Sequence, residues 1–106
     1  MAPDEDGNRD EFRREAGEAV ITNLRRLQKA SGLSQENLSL RAKLSRNHVH
    51  SILKGERLPE LDTVYKLAGA LGVAPAELVQ GFYWRPDETG GYGQVTDEPP
   101  ERGQEN

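Results

Sequence analysis

The sequence predicts a small all-α protein built from five short helices. Through the middle of the chain, apolar residues recur at intervals of three and four, as they do along the buried face of an amphipathic helix. Ser, Gly and Pro interrupt this pattern at positions that suit helix caps and tight turns. At 106 residues and without cysteine, the chain has the size of one domain that no disulfide stabilises.

The first helix is predicted to start at Asn8, because Glu11 follows three residues later in a capping-box pattern. Ser31 and Gly32 are predicted to end it. Between these limits the apolar spacing of four and three residues defines a single face. The residues of this face are Phe12, Ala16, Val20, Leu24 and Leu27.

Two shorter helices follow, separated by the three-residue turn Lys43–Ser45. Ser34 is placed to cap the second helix, and Ser45 to cap the third, which ends at Gly55. Two short helices on such a turn are the layout of a helix-turn-helix motif, in which the second helix of the pair projects into the DNA major groove. The apolar positions of the pair and its turn are Leu38, Ala42, Leu44, Val49 and Ile52.

The fourth helix follows Pro59 and ends at Gly72, and Pro75 occupies the first position of a short fifth helix. The fourth helix has a regular apolar face, and the fifth is only a turn or two long, through Val79. Apolar positions in the fourth helix are Leu61, Val64, Leu67, Ala68 and Leu71.

The composition divides the chain into four segments. Residues 1–8 are predicted to be a disordered acidic N-terminus, residues 9–81 the helix-turn-helix domain, and residues 97–106 a disordered acidic tail. We call the remaining segment, residues 82–96, the aromatic arm. Its two ends are rich in residues that favour β-strands, and residues that favour turns lie between them, so the segment is compatible with a short hairpin. Two interpretations stay open: Phe82, Tyr83 and Trp84 form a dimer contact, or Trp84 folds onto its own subunit and the rest is disordered.

The net charge of −4 hides an uneven distribution. Residues 19–84 hold nine bases against five acids, or +4, whereas residues 1–18 and 85–106 each carry −4. A basic middle part is the electrostatic pattern of a protein that binds phosphates. No apolar run approaches the ~18 residues of a membrane span, so a cytoplasmic protein without membrane contact is expected.

Residues 21–79 resemble the Cro/C1-type (XRE-like) helix-turn-helix family, which includes the repressors of lambdoid phages. The resemblance rests on an ordered series of short motifs at family-like spacings. It implies a compact, lambda-repressor-like bundle of five helices. The matching motifs are Asn23–Leu27, Ser31–Glu36, Leu44–Arg46, Ile52–Arg57, Leu61–Thr63, Ala70–Val73 and Pro75–Leu78.

The sequence departs from the family pattern at four positions. Gln28 and Leu53 replace an Arg and a Glu that often form an ion pair between the first and third helices of the family. Lys43 stands where the turn commonly has Gly, and Ala74 replaces the usual Ser cap of the fifth helix. A positive φ would cost Lys43 roughly 1 kcal/mol, and the missing cap costs about as much.

The third helix is the candidate reader of DNA. Arginine can bind guanine O6 and N7 together, and asparagine can bind adenine N6 and N7. The resemblance to the family implies that Gln35, which opens the second helix, binds a phosphate. The predicted base contacts are Arg46, Asn47, His50 and Ser51. The predicted backbone contacts are Gln35, Arg41, Lys43, Ser45, His48, Lys54 and Arg57.

These observations predict a sequence-specific transcriptional regulator, most simply a repressor that binds palindromic operator DNA as a homodimer. The alternative is a protein-interaction module or an antitoxin-type protein that binds a partner, and a regulatory protein partner stays unidentified. No catalytic residues, metal site or cofactor are expected. The chain has no cysteine, its two histidines lie two residues apart on different sides of one helix, and no phosphate-cradling glycine motif is present.

Overall fold

A computed structural model describes residues 3–100 of the chain, and the side chains of residues 9–100. Five helices are followed by a two-stranded antiparallel sheet. The residues form two compact units, one of Gly17–Gln80 and one of the two segments that flank it. The elements are α1 (Pro3–Ser31), α2 (Gln35–Ala42), α3 (Arg46–Leu53), α4 (Leu61–Leu71), α5 (Pro75–Val79), β1 (Tyr83–Arg85) and β2 (Gln94–Thr96).

Helix α1 begins earlier than the sequence pattern predicts. It starts at Pro3 instead of Asn8 and therefore includes most of the segment predicted to be disordered. Proline is well suited to the first turn of a helix, because its φ is already helical and its missing N–H has no partner there. Residues 1–2, and residues 101–106 of the predicted acidic tail, lie outside the described part of the chain.

The other predicted helix limits are confirmed. The Ser34 and Ser45 hydroxyls accept the N–H groups of Asn37 and His48, at 3.1 Å and 3.0 Å. These are N-cap bonds, and each satisfies one of the otherwise unpaired donors of a helix start. Ala74 precedes α5 without a side-chain cap, as expected.

All five helices contribute to a single hydrophobic core in Gly17–Gln80. The sequence pattern identified most of its members but missed Ile21, Leu53 and Ala70. Ile21 is 1% exposed, whereas Val20 beside it is only half-buried. Leu61, which the pattern included in the apolar face of the fourth helix, is exposed. Gly17 is buried against the side chain of Leu58, and a Cβ at position 17 would clash with that side chain. The buried apolar residues are Ile21, Leu24, Leu27, Leu38, Ala42, Val49, Ile52, Leu53, Val64, Leu67, Ala68, Ala70 and Leu78.

The hairpin that the sequence allows is present in the flanking unit. Strands β1 and β2 pair antiparallel, with Trp84 opposite Val95. Asp87 organises the connection, because its carboxylate accepts the Thr89 N–H at 3.1 Å and the Thr89 hydroxyl at 2.8 Å. These bonds, the backbone one first, hold the pKa of Asp87 below its ordinary value.

Candidate DNA-binding surface

The turn between α2 and α3 closes in a left-handed conformation at Lys43. Its φ of 59° makes it the one non-glycine residue with positive φ in the described part of the chain. The Leu44 N–H bonds to the Ser39 carbonyl at 3.0 Å, and the Lys43 N–H bonds to the Leu40 carbonyl at 3.3 Å. This is a Schellman motif, which glycine usually closes. The turn therefore fixes how α3 leaves α2, at a conformational cost that falls on Lys43.

The N-termini of α2 and α3 line a common concave surface that encloses a pocket of about 450 Å³. Its lining combines residues from the first turns of both helices. The unpaired N–H groups and the dipole of each helix make such termini favourable to phosphate. The lining residues are Gln35, Glu36, Ser45, Arg46, Asn47 and His50.

The four residues predicted to contact bases differ in how exposed their side chains are. Arg46 and Asn47 are exposed in the first turn of α3, and His50 is exposed one turn later. The Nδ1 atom of His50 lies 3.2 Å from Oε1 of Gln35, which joins the two helices of the motif. Ser51 is half-buried, and its carbonyl accepts the Glu56 N–H at 2.9 Å. Three of the four side chains are thus accessible at the same end of α3.

The residues predicted to contact the DNA backbone occupy different environments. Lys43 and Arg57 are exposed. Lys54 is also exposed and lies 3.7 Å from the Glu56 carboxylate. Arg41 donates from Nε to the Ala70 carbonyl at 2.7 Å, so besides being a predicted phosphate contact it links α2 to α4.

Two further backbone candidates have roles inside the motif. Ser45 uses its hydroxyl oxygen as the cap of α3, where it accepts from the His48 N–H. The His48 side chain is half-buried, unlike that of His50. Ser45 also lines the concave surface that includes Gln35.

Sequence reasoning missed the side chains that hold α3 and α5 to α1. Arg25 donates from Nε to the Leu53 carbonyl at 2.8 Å, at the C-terminal end of α3. Asn23 donates from Nδ2 to the Leu78 carbonyl at 2.9 Å and to the Gln80 carbonyl at 3.1 Å. Arg25 therefore supplies a link between α1 and α3 where Gln28 and Leu53 replace the family's ion pair.

The aromatic arm makes its ring contacts within its own chain. Phe12 lies with its ring centroid 4.8 Å from that of Trp84 and 6.2 Å from that of Phe82. Tyr92 packs edge-on against Trp84 at 4.9 Å. The structure thus has the intramolecular packing of Trp84 together with a formed hairpin. A dimer contact through Phe82, Tyr83 and Trp84 stays a prediction.

Neither metal sites nor membrane spans are found in the part of the chain that the structure describes. Across the described residues, no three His, Asp or Glu side chains converge as metal ligands would. No described helix combines the length and apolarity that crossing a membrane requires.

Comparison with known proteins finds relatives of the helix-turn-helix part of the chain. Residues 24–78 match the model of the helix-turn-helix family HTH_3. The chain is 42% identical over 60 residues to the uncharacterized HTH-type transcriptional regulator y4dJ of Sinorhizobium fredii, covering 57% of this chain and 78% of that one. It is 41% identical over 49 residues to the control protein C.BamHI of Bacillus amyloliquefaciens, covering 46% and 60%.

Two solved structures are similar to the fold. The restriction-modification controller protein C.AhdI of Aeromonas hydrophila has a TM-score of 0.54 and 40% identity, covering 57% of this chain and 91% of that one. The hypothetical transcription factor NHTF of Neisseria has a TM-score of 0.56 and 31% identity, covering 62% of this chain and 77% of that one. The five-helix arrangement and the helix-turn-helix motif are therefore features that this chain has in common with regulators of transcription.

Proposed function

Because the chain belongs to the helix-turn-helix family HTH_3 of DNA-binding transcription regulators, we propose that it represses transcription by binding a palindromic operator as a homodimer. Helix α3 is the recognition helix of this proposal. It enters the major groove with its N-terminal turn first, which is how helix-turn-helix proteins read bases.

The observation that carries the proposal is the exposed end of α3. Arg46, Asn47 and His50 are accessible there, while Val49 and Ile52 of the same helix are fully buried in the core. A rigidly packed helix that presents Arg and Asn side chains matches the donor and acceptor pattern of base edges. Arg46 is assigned to a guanine, Asn47 to an adenine, and Ser51 to a secondary position further along the groove.

Phosphate contacts surround this end of α3. Gln35 opens α2 on the same concave surface as Arg46, and Lys43 lies in the turn. Lys54 and Arg57 follow the recognition helix. Arg41, Ser45 and His48 complete the set. Arg41 also links α2 to α4, and Ser45 also caps α3. Contacts of this kind set the register on DNA and supply most of the non-specific affinity.

A homodimer follows from the size of the surface. One recognition helix reads one half-site, and two copies related by a two-fold axis reach the specific affinity of about 10⁻⁸ M or tighter that operators require. Two of the similar proteins are named as control or controller proteins, which supports a role in the control of gene expression. Relief of repression would then depend on the cellular concentration of this protein or on a regulatory protein that binds it.

The proposed regulator acts in the cytoplasm, without enzymatic activity, metal or cofactor. The alternative of a protein-interaction module or an antitoxin-type protein explains the acidic ends of the chain. It does not explain why Arg46, Asn47 and Lys43 are all exposed at one end of the helix-turn-helix motif.

Selection of bound sites from random DNA tests the proposal. The expected result is one enriched sequence with two-fold symmetry, whose half-sites are centred about one helical turn, roughly 10 base pairs, apart or a multiple of that. Asn47→Ala should relax the preference at one base pair in each half-site. Enrichment of no sequence would contradict specific DNA recognition, and enrichment of a single asymmetric site would contradict the homodimer.

A further inference from the structure

Helix α4 carries large apolar side chains on its solvent-facing side. Leu61 is 71% exposed and Tyr65 is 60% exposed. Because they are four residues apart, they lie on one face of the helix. Gly69 continues this row, and no other atom lies within 4 Å of the position that a Cβ would take there. We refer to Leu61, Tyr65 and Gly69 as the α4 row.

The α4 row borders the side of α4 that packs against the core, since Leu61 lies on the same face as the buried Ala68 seven residues later. Val64, Leu67 and Ala68 of α4 are buried, and Arg41 of α2 bonds to the carbonyl of Ala70. Position 70 is about half a turn around the helix from Leu61 and Tyr65. The row is therefore an apolar surface additional to the core, and α2 covers the other side of the helix.

Opposite charges run along one edge of the α4 row. Asp62 follows Leu61, Lys66 follows Tyr65, and both are exposed. Although they are four residues apart, no ion pair joins them within the described part of the chain. The Asp62 carboxylate accepts the backbone N–H of Thr63 at 2.9 Å. The ammonium group and the second carboxylate oxygen are thus available to another molecule.

This pattern is complementary to itself. If two copies of α4 run antiparallel about a two-fold axis level with residues 63–64, Leu61 of each lies beside Tyr65 of the other. The same pairing brings Asp62 of each beside Lys66 of the other. An isologous dimer requires this reciprocity, in which residue i meets j and j meets i. A parallel pairing about a two-fold axis would instead place the two Asp62–Lys66 edges on opposite sides of the contact, where they cannot pair with each other.

We propose that the α4 row is the surface through which two copies of this chain associate, with their α4 helices antiparallel. The inference rests on the proposed function in one respect, namely that the chain acts as a homodimer. It names the face that the second copy covers. Gly69 permits close approach of the two helices at the end of the row, since it carries no side chain.

Sedimentation equilibrium of the full chain tests the proposal with a matched pair of variants. Leu61→Ser combined with Tyr65→Ser should raise the dimer Kd by at least about tenfold, because apolar residues at the centre of an interface carry most of its binding energy. Leu40→Ser removes a leucine on α2 that is 62% exposed, and should leave the dimer Kd unchanged. All of these side chains are exposed, and circular dichroism confirms that the variants are folded.

Charge reversal tests the antiparallel arrangement. Asp62→Lys alone and Lys66→Asp alone should each weaken the homodimer, because each sets like charges against one another across the axis. An equimolar mixture of the two variants should associate more tightly than either variant alone. If each variant dimerises as well as the wild type and mixing adds nothing, the antiparallel pairing is overturned.

Three other results would overturn the α4 row as the interface. One is a wild-type chain that stays monomeric at every concentration. The second is an unchanged dimer Kd in the Leu61→Ser, Tyr65→Ser variant. The third is a dimer that survives this variant and is lost in Tyr83→Ser, which would locate the interface in the aromatic arm. A chain that dimerises as described but selects no DNA sequence would contradict the proposed function and leave this inference intact.

Discussion

His50 on the recognition helix is hydrogen-bonded to Gln35, the first residue of α2, with 3.2 Å between Nδ1 and Oε1. A carboxamide oxygen only accepts, so a neutral imidazole in this pair donates from Nδ1 and keeps Nε2 as an acceptor. In the major groove, adenine N6 and cytosine N4 are the donors that such an acceptor can meet. Under the proposed function, Gln35 would thus set which bases His50 can read.

The first prediction concerns that pair. Gln35→Glu keeps an acceptor against Nδ1, so the base preference at the His50 position should persist while affinity for all sequences falls through the added negative charge. Gln35→Lys offers only donors, so Nε2 should become the donor and the preference should move to guanine or thymine. Binding matrices measured for both variants check this. A Lys variant with the wild-type matrix would show that Gln35 does not set the tautomer.

The second prediction separates base reading from phosphate binding. Arg46→Ala should cost about 1–3 kcal/mol of binding free energy and relax the preference at one base pair in each half-site. Lys54→Ala should weaken binding to all sequences alike and leave the matrix unchanged. Its effect should be modest, because Lys54 also pairs with Glu56 on the surface. Titrations against a series of single-base operator variants measure both effects, and an unchanged matrix for Arg46→Ala would refute the assigned register of α3.

The third prediction concerns the turn. Lys43 has a φ of 59°, so Lys43→Gly should raise the free energy of unfolding by about 1 kcal/mol. The same change should weaken DNA binding, because it removes an ammonium group beside the recognition helix. Urea denaturation measures the first effect and DNA titration the second. Gly55, with a φ of 81°, is the matched control, and Gly55→Ala should be destabilising. A less stable Lys43→Gly variant would show that the turn needs the lysine for its structure.

The fourth prediction concerns Arg25, which positions the recognition helix from outside it. Arg25→Met keeps most of the apolar stem and removes the hydrogen bond to the Leu53 carbonyl, so stability should fall by about 1 kcal/mol. Arg26→Met changes the exposed neighbouring residue in the same way and should have little effect. Equal urea midpoints for the two variants would show that the Arg25 bond contributes nothing.

The features that could be predicted from the sequence are those that local patterns encode. Ser34 and Ser45 cap their helices because a short hydroxyl side chain at that position reaches an N–H three residues on. The positive φ of Lys43 could be predicted because Lys43 stands where the turn of the resembled family commonly has Gly. The exposure of Arg46 and Asn47 likewise follows from the apolar period of α3.

Contacts between distant parts of the chain could not be predicted in this way. Asn23 bonds to Leu78 across 55 positions, and Arg25 bonds to Leu53 across 28. In both bonds the acceptor is a backbone carbonyl, which every residue carries, so the residue type at the acceptor position does not indicate that the bond forms. Ile21 was missed because Val20, beside it, fits the same helical period. The packing of Trp84 on Phe12 requires the segment after α5 to come back to the N-terminal part of α1, and no local sequence pattern specifies that approach.

The salt dependence of operator binding tests most directly the central claim that this helix-turn-helix surface binds DNA through its phosphates and its bases. Four to six phosphates neutralised by each of two subunits predict a slope of log affinity against log salt of roughly −7 to −11. The same titration on unrelated DNA should give much weaker binding at every salt concentration. A slope near zero on the selected operator, or equal affinity for unrelated DNA, would contradict the account.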